Sequence, residues 1–183
     1  GILYLILLIP IGVAVCSNLT NMLAGWNGNE AGMGAVIFLA MSIISITTGN
    51  IEIAILSLAM LGALLSFLLF NWYPAKVFIG DMGTLPIGAV LASSVIIGNL
   101  ETAGAILVIP YVLDFFIKLP NKFPKTFGVF KNGKLYAPEN KARGLGQLIM
   151  KLTKGITERN LSLSLILIEV VFAVIAIALY AKF

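Results

Sequence analysis

Residues 51–70, IEIAILSLAMLGALLSFLLF, form a twenty-residue run in which Glu52 is the only charged side chain. A helix needs about 17–25 consecutive apolar residues to cross the hydrocarbon core of a bilayer. The run therefore predicts a transmembrane helix. The composition of the whole chain agrees, because 60% of its 183 residues are hydrophobic, 11% are charged and the mean hydropathy is +1.04. These values exclude an ordinary soluble domain.

Further apolar runs predict an all-α, polytopic bundle of about six transmembrane helices. The runs lie at about 2–17, 31–48, 51–70, 84–98, 102–119 and 161–181. Gly49-Asn50 and Asn99 mark two tight turns between them, whereas longer polar connections cover about 18–30, 71–83 and 120–160. We expect residues 1–183 to form one integral membrane domain.

The basic residues predict the orientation of the bundle. Ten of the 12 Lys and Arg residues lie between Lys118 and Arg159, and Lys76 lies in the 71–83 connection. Because Lys and Arg favour cytoplasmic loops, the 71–83 and 120–160 connections are predicted to be cytoplasmic. Strict alternation of the helices then places the 18–30 connection on the same face.

The long cytoplasmic loop at 120–160 carries two local signals. Asn132-Gly133 between short strand-like runs predicts a β-hairpin. After Pro138 the sequence predicts an amphipathic helix, which either lies on the anionic inner leaflet or packs on the protein. Its apolar face is predicted to contain Leu145, Leu148, Ile149, Leu152 and Ile156.

Amides and a carboxylate are the candidate site residues, since the chain has no histidine to act as a general base or zinc ligand. Asn18 and Asn21 stand three residues apart at a predicted helix end, so their amides can point from one face. Asp81 closes the next polar connection on the same predicted side of the membrane. Amide and carboxylate oxygens are ligands that Mg²⁺ accepts. The alternative is that the amides cap a helix or bond between helices, while Asp81 is stabilised by a helix N-terminus.

The other candidate residues can each be explained by a functional role or by a purely structural one. Phe78 can stack on a base, or face lipid or the core. The basic run that includes Lys122 and Lys125 can gather a diphosphate, or serve only as cytoplasmic charge. Asp114 and Lys118 are predicted to form a local ion pair. Glu169 lies near the middle of the last predicted helix, where an ionisable group is costly and marks a functional hypothesis.

Three segments, taken in order, resemble stretches of the polyprenyl-phosphate N-acetylhexosamine-1-phosphate transferases. They are NLTNMLAGWNGNEAG (18–32), NWYPAKVFIGD (71–81) and GITERNLSLSLILIE (155–169). The likeness is to the UDP-N-acetylglucosamine–dolichyl-phosphate N-acetylglucosaminephosphotransferase branch and its archaeal members, and the bacterial phospho-MurNAc-pentapeptide transferases are more distant. The resemblance implies transfer of N-acetylglucosamine-1-phosphate from UDP-GlcNAc to a polyprenyl (dolichyl) phosphate with release of UMP, the first step of lipid-linked oligosaccharide synthesis.

The resemblance also implies roles for individual residues. Asn21 and Asp81 match catalytic residues that bind Mg²⁺, or Mn²⁺ in its place, and Asn18 is a close neighbour on the substrate side. Asn27 matches a residue that contacts uracil, and Phe78 matches the aromatic that stacks on it. Two further positions match less closely a pair of arginines that hold the diphosphate and sugar, and a lysine there gives a point charge instead of a fork. These positions are Lys122 and Lys125.

The same resemblance sets expectations for partners and context. A UDP-sugar, a polyprenyl phosphate and membrane lipid are expected partners, with a homodimer as a candidate assembly and no nucleic acid. The active face is expected to be cytoplasmic, in the cell membrane of an archaeon or the endoplasmic reticulum of a eukaryote. The family has an Asp-Asp pair in an upstream helix, and residues 1–183 contain none. We therefore expect the C-terminal part of a roughly ten-helix protein, inactive on its own.

Two competing functions predict different residue patterns. A transporter or channel concentrates polar residues inside its transmembrane helices, and Glu169 is the feature that fits this class. A non-catalytic membrane assembly subunit has no need of clustered amides beside a carboxylate. Because the polar residues lie at predicted helix ends and include Asn21 and Asp81, the sequence favours the transferase.

Overall fold

The computed structural model describes residues 1–180, and its secondary structure is helical except for one hairpin. The first four helices are α1 (Ile9–Met22, preceded by a π-helical turn at Tyr4–Leu8), α2 (Asn29–Thr47), α3 (Ile51–Asn71) and α4 (Gly80–Gly98). They are followed by α5 (Glu101–Leu107), α6 (Ile109–Lys118), β1 (Val129–Lys131), β2 (Lys134–Tyr136), α7 (Leu145–Leu152) and α8 (Glu158–Tyr180).

Among residues 1–180, five helices are long and apolar enough to cross a membrane, and the bent pair α5–α6 makes a sixth candidate. The predicted all-α, polytopic fold with about six transmembrane helices is confirmed. The last predicted helix, 161–181, corresponds to α8, and its residue 181 lies outside the described residues. α4 begins at Gly80, four residues earlier than predicted, because a polar first turn resembles a loop in a hydropathy pattern.

The predicted helix at 102–119 is broken in the structure. α5 ends at Leu107 and α6 begins at Ile109, with an angle of 51° between the two halves. Pro110 explains the break, since it lacks an N–H and its ring clashes with the carbonyl four residues earlier in a continuous helix. The bend leaves α6 in contact with α1.

α2 forms the centre of the bundle, and α3 and α8 pack against it. Its buried side chains include Ile37, Phe38 and Met41. On the other side α4 packs along α1, with Gly88 at the point of closest approach. A Cβ at position 88 would lie only 2.6 Å from the carbonyl carbon of Cys16.

The two tight turns and the hairpin are confirmed. Gly49 and Asn99 both have positive φ angles, of 77° and 49°, where α2 and α4 end. Asn132 and Gly133, with φ of 51° and 77°, connect the antiparallel strands β1 and β2. Two consecutive left-handed residues are the requirement of a type I′ turn, which explains the Asn-Gly pair.

The predicted amphipathic helix is present as α7, but its predicted buried face is partly wrong. α7 ends at Leu152, so Ile156 lies outside it and instead forms a β-bridge with Leu135. The buried side includes Gly146, Gln147 and Met150, whereas Leu152 is 73% exposed. Leu145 is buried as predicted, and Leu148 and Ile149 are partly buried against the core. α7 thus packs on the protein, against the hairpin, α6 and α8.

Candidate functional site

The three polar connections meet at one end of the bundle, where they line an open cavity of about 410 Å³. We call it the large cavity. Asn21 comes from the end of α1, Asp81 from the start of α4, and Lys118 from the end of α6. The 120–160 connection completes the wall with a continuous segment from Phe123 to Phe127. Helix ends that are far apart in the sequence therefore surround one volume.

A second cavity of about 190 Å³ adjoins the first and shares Asn21 and Asp81 with it. We call it the Phe78 cavity, because Phe78 forms part of its wall and is 72% exposed. The remaining lining residues are Ala24, Gly25, Glu30, Asn71, Ile79, Gly80 and Thr84. Asn21, Asp81 and Phe78, which the sequence separates by up to 60 positions, are thus brought together.

Thr84 fixes the amide of Asn21 in the cavity wall. Its hydroxyl donates a hydrogen bond to Asn21 Oδ1 at 2.7 Å, while its own backbone carbonyl accepts one from the Thr20 hydroxyl at 3.0 Å. Thr84 stands three residues after Asp81 on α4, so the two share a helix face. An amide oxygen has two lone pairs, and Thr84 occupies one of them. Asn21 Oδ1 therefore keeps acceptor capacity, and Asn21 shares both cavity walls with Asp81.

Glu30 and Asn71 are lining residues that the sequence analysis missed. Glu30 is buried and its Oε1 accepts a hydrogen bond from the Gly25 N–H at 2.6 Å. Asn71 donates from Nδ2 to the Val77 carbonyl at 2.8 Å, and its buried Oδ1 has no hydrogen-bond partner within residues 1–180. Both residues lie inside segments that carry the family resemblance, but only the fold shows that their side chains share a cavity.

Asn18 and Asn27 lie outside the residues that line either cavity. The Asn18 amide is exposed and donates to the Ala14 carbonyl at 2.8 Å, one turn earlier in its own helix. The backbone of Asn27 is held by α8, through a 2.9 Å hydrogen bond to Glu158 Oε1 and another of 2.9 Å from the Ser162 hydroxyl. The Asn18 side chain is therefore hydrogen-bonded within α1, and the Asn27 backbone joins the 18–30 connection to α8.

The lysines of the site differ in burial. Lys125 is exposed and lines the large cavity, whereas Lys122 is exposed and does not line it. Lys118 is buried, and its Nζ lies 2.7 Å from Asp114 Oδ2, so the predicted ion pair is confirmed. Lys118 Nζ also donates to the backbone carbonyl of Met22, the residue after Asn21.

Glu169 lies apart from both cavities. Its side chain is fully buried in α8, and neither carboxylate oxygen has a hydrogen-bond partner among residues 1–180. The same part of the chain contains no cluster of three or more His, Cys, Asp or Glu residues able to hold a metal. Any metal at the large cavity would therefore depend on mixed amide and carboxylate ligands.

An apolar groove of about 250 Å³ lies between α1, α4 and α5. Its wall includes Leu19, two residues before Asn21, and Val108, at the break between α5 and α6. The other lining residues are Gly12, Val15, Cys16, Leu91, Ala92, Val95, Ile96 and Gly104. The groove therefore runs along the same helix that supplies Asn21.

Fold and site together define a polytopic helical membrane protein with a cavity at one end of the bundle, whose wall includes Asp81 and two lysines. The family model described as Glycosyl transferase family 4 matches residues 1–99, and the chain belongs to this family. The matched part contains α1 to α4 and thus both Asn21 and Asp81. The confirmed resemblance is therefore carried by the helices that bring the site together.

Named relatives agree with the family. A protein of Saccharolobus solfataricus, provisionally named UDP-N-acetylglucosamine–dolichyl-phosphate N-acetylglucosaminephosphotransferase, is 40% identical over 98% of this chain and 56% of its own length. A glycosyltransferase of Methanocaldococcus jannaschii, also provisionally named, is 37% identical over 94% of the chain and 58% of its own length. The phospho-N-acetylmuramoyl-pentapeptide-transferase of Halalkalibacterium halodurans is 45% identical over 55% of the chain. The chain thus spans little more than half the length of the two archaeal relatives.

Proposed function

We propose that this protein transfers N-acetylglucosamine-1-phosphate from UDP-GlcNAc to a dolichyl or other polyprenyl phosphate, with release of UMP. The observation that carries the proposal is the shared cavity of Asn21 and Asp81, with Phe78 beside them. The provisional name of the Saccharolobus solfataricus relative supports the choice of sugar and acceptor. The basic 120–160 connection supports a cytoplasmic site under the positive-inside rule.

The donor set at the cavity fits Mg²⁺. This ion usually binds proteins through one or two carboxylates and completes its shell with water and substrate phosphates. Asp81 supplies one carboxylate, and Asn21 Oδ1 keeps a lone pair beyond its bond to Thr84. When bound, the metal would offset the charge of the diphosphate. Two protein ligands leave room for substrate oxygens, as a phosphate-transferring site requires.

The proposed reaction is a single displacement at phosphorus between the two substrates. A phosphate oxygen of the lipid attacks the sugar-linked phosphorus of UDP-GlcNAc, and the bond from that phosphorus to the bridging oxygen breaks, so that UMP leaves. A lipid phosphate is already ionised near neutral pH, so no general base is required at the attacking oxygen. The protein orients the lipid phosphate and the diphosphate of UDP-GlcNAc and stabilises their charge. The lysines of the large cavity are suited to this role.

We further propose that residues 1–183 have no transferase activity on their own. The family resemblance implies an aspartate pair in an upstream helix, and this chain contains no Asp-Asp sequence. Activity is therefore tested with the complete gene product in membranes or nanodiscs. The assay supplies UDP-GlcNAc, dolichyl phosphate and Mg²⁺ and measures lipid-linked GlcNAc-phosphate together with UMP. Absence of both products under these conditions would contradict the proposed function.

Neither competing function accounts for the cavities. A transporter has its binding site near the middle of the membrane, whereas the two cavities that contain Asn21 and Asp81 lie at helix ends and do not include Glu169. A non-catalytic assembly subunit gives no reason for an amide and a carboxylate from separate helices to line one cavity. Asn21 and Asp81 therefore favour the transferase over both alternatives.

Phe78→Ala is expected to weaken binding of UDP-GlcNAc about 5- to 150-fold, since stacking of one base on an aromatic ring contributes about 1–3 kcal/mol. The ring is exposed at the Phe78 cavity, so its removal leaves no hole in the protein core. The affinity is measured by titration calorimetry. Val77→Ala is the matched control, because Val77 is also exposed but lies outside the lining of the cavity. Equal affinities for the two variants would contradict the stacking role.

The apolar groove is proposed to hold the isoprenoid chain of the acceptor. Gly12→Leu should raise KM for dolichyl phosphate severalfold and leave KM for UDP-GlcNAc unchanged, because Gly12 lines the groove. A Cβ at position 12 meets no atom within 4 Å, so the new side chain enters the groove without a backbone clash. Gly62→Leu is the control, since position 62 is equally open but lies on α3. A parallel rise in both KM values would contradict this assignment.

A further inference from the structure

We propose that Lys118 binds a phosphate oxygen of the nucleotide sugar, as the preorganised cation of the large cavity. The inference rests on the proposed function, because it assigns the ligand class of Lys118 within the same site. The sequence predicts only a local ion pair for Lys118, and the family resemblance implies that Lys122 and Lys125 hold the diphosphate. In the structure Lys118 lines the cavity beside Asn21 and Asp81, as Lys125 does, whereas Lys122 does not.

The contacts of Lys118 within the protein leave it donor capacity for a ligand. An ammonium group has three N–H donors. Lys118 Nζ donates one hydrogen bond to the carbonyl of Met22 and forms an ion pair with Asp114 Oδ2, 2.7 Å away. Because only 5% of Lys118 is exposed and it lines the large cavity, a ligand reaches it from the cavity.

Burial makes this cation more effective than its exposed neighbours. Within residues 1–180, Lys118 is the one Lys or Arg in the buried class. Charges interact more strongly where water is excluded, and a donor that is already fixed needs little reorganisation when the ligand arrives. Lys125 must instead order a flexible, solvated side chain to reach the same phosphate. Lys118 therefore meets the requirement for charge stabilisation better than either lysine of the exposed loop.

Asp114 positions the cation and is not itself a ligand of the substrate. Its Oδ1 accepts a hydrogen bond from the backbone N–H of Leu145 at 2.7 Å, at the start of α7, while Oδ2 pairs with Lys118. Both oxygens of Asp114 are thereby engaged with groups of the protein. The pair connects α6 to α7 and, through Lys118 and Met22, to the end of α1. Asp114 is thus a positioning residue.

A purely structural role for Lys118 makes a different prediction. If Lys118 only holds the Met22 carbonyl, its loss disturbs the whole end of α1, and the nucleoside and the phosphates should be affected together. If Lys118 binds phosphate, its substitution should weaken the binding of phosphorylated ligands alone. Uridine, which has no phosphate, and UDP therefore separate the two roles.

The test compares Asp114→Asn with the double variant Asp114→Asn/Lys118→Met in the complete gene product. Both variants lack the carboxylate, so neither leaves an unpaired buried Asp, and they differ only in the cation. We expect the double variant to bind UDP at least tenfold more weakly than Asp114→Asn, with uridine affinity unchanged. Lys151→Met is the surface control and should match the wild type for both ligands, since Lys151 is exposed on α7 and lines neither cavity. Affinities are measured by titration, and thermal unfolding confirms that each variant is folded.

The outcomes separate the inference from the function on which it rests. Equal UDP affinities for the two Asp114 variants, or equal weakening of uridine and UDP, would overturn phosphate binding by Lys118. If the double variant does not fold, Asp114→Asn/Lys118→Gln takes its place, since Gln keeps an N–H donor but no charge. A wild-type protein that binds neither uridine nor UDP would contradict the proposed function itself.

Discussion

Asp81→Asn is expected to lower turnover of the complete gene product by about 10²–10³-fold or more, the effect of removing one preorganised electrostatic contact to a transition state. The substitution keeps the shape of the side chain and removes its negative charge. Asp81 is exposed at the start of α4, so the fold does not depend on it. Turnover is measured as lipid-linked GlcNAc-phosphate formed from UDP-GlcNAc and dolichyl phosphate, at several Mg²⁺ concentrations.

Asn21→Ala should reduce turnover in the same range, because Asn21 supplies the second oxygen to the cavity. It also removes the acceptor of the Thr84 hydroxyl, which keeps a weaker 3.2 Å contact with the Gly80 carbonyl. The matched control is Asn18→Ala, one turn away on the same helix. The Asn18 amide bonds to its own helix and lines neither cavity, so its loss should leave turnover close to wild type.

Mg²⁺ dependence separates loss of a ligand from general damage. A variant that has lost a metal ligand should need a higher Mg²⁺ concentration for half-maximal activity, and the Asn18→Ala control should not. Wild-type turnover in both Asp81→Asn and Asn21→Ala would remove the proposed metal site. A large loss in Asn18→Ala would show that the sequence motif describes the site better than the cavity lining does.

Much of the fold follows from the sequence because it depends on local physics. Hydropathy locates the long helices, since an apolar run must span the membrane as a helix that satisfies its own backbone groups. The Asn132-Gly133 turn is equally local, since its two left-handed residues need no distant contact. The break at Val108 has a local signal in Pro110, which an apolar run conceals. Hydropathy measures whether a segment is apolar, not whether it is straight.

The candidate site follows from the sequence only in part. Asn21, Asp81 and Phe78 are found by motif, and their shared cavity requires the packing of α1 on α4. Lys118 shows why the sequence does not predict the other residues of the site. A spacing of four residues explains its pair with Asp114, so the pattern gives no reason to look further. The contact with Met22, 96 residues away, is a tertiary one and only the fold reveals it.

Gly88→Ala should be the most damaging substitution outside the cavities, because Gly88 sets the distance between the helices that carry Asn21 and Asp81. A Cβ at position 88 would lie 2.5 Å from Ser17 Cα and 2.6 Å from the Cys16 carbonyl carbon. Both neighbours are backbone atoms of α1, so no side-chain rotation relieves the clash and the two helices must separate. Overpacking of this kind typically costs about 1–3 kcal/mol, against at most about 1 kcal/mol gained from the better helix propensity of Ala.

Gly62→Ala is the control for this prediction. Gly62 also lies inside a long helix, α3, but a Cβ there meets no atom within 4 Å. The control should therefore unfold at or above the wild-type temperature and retain full turnover, while Gly88→Ala unfolds at a lower temperature and loses turnover even where it remains folded. Wild-type turnover in Gly88→Ala would mean that the site tolerates a changed distance between α1 and α4. The proposed metal site requires Asn21 and Asp81 to share one ion and does not allow such tolerance, so the substitution tests that proposal without changing either residue.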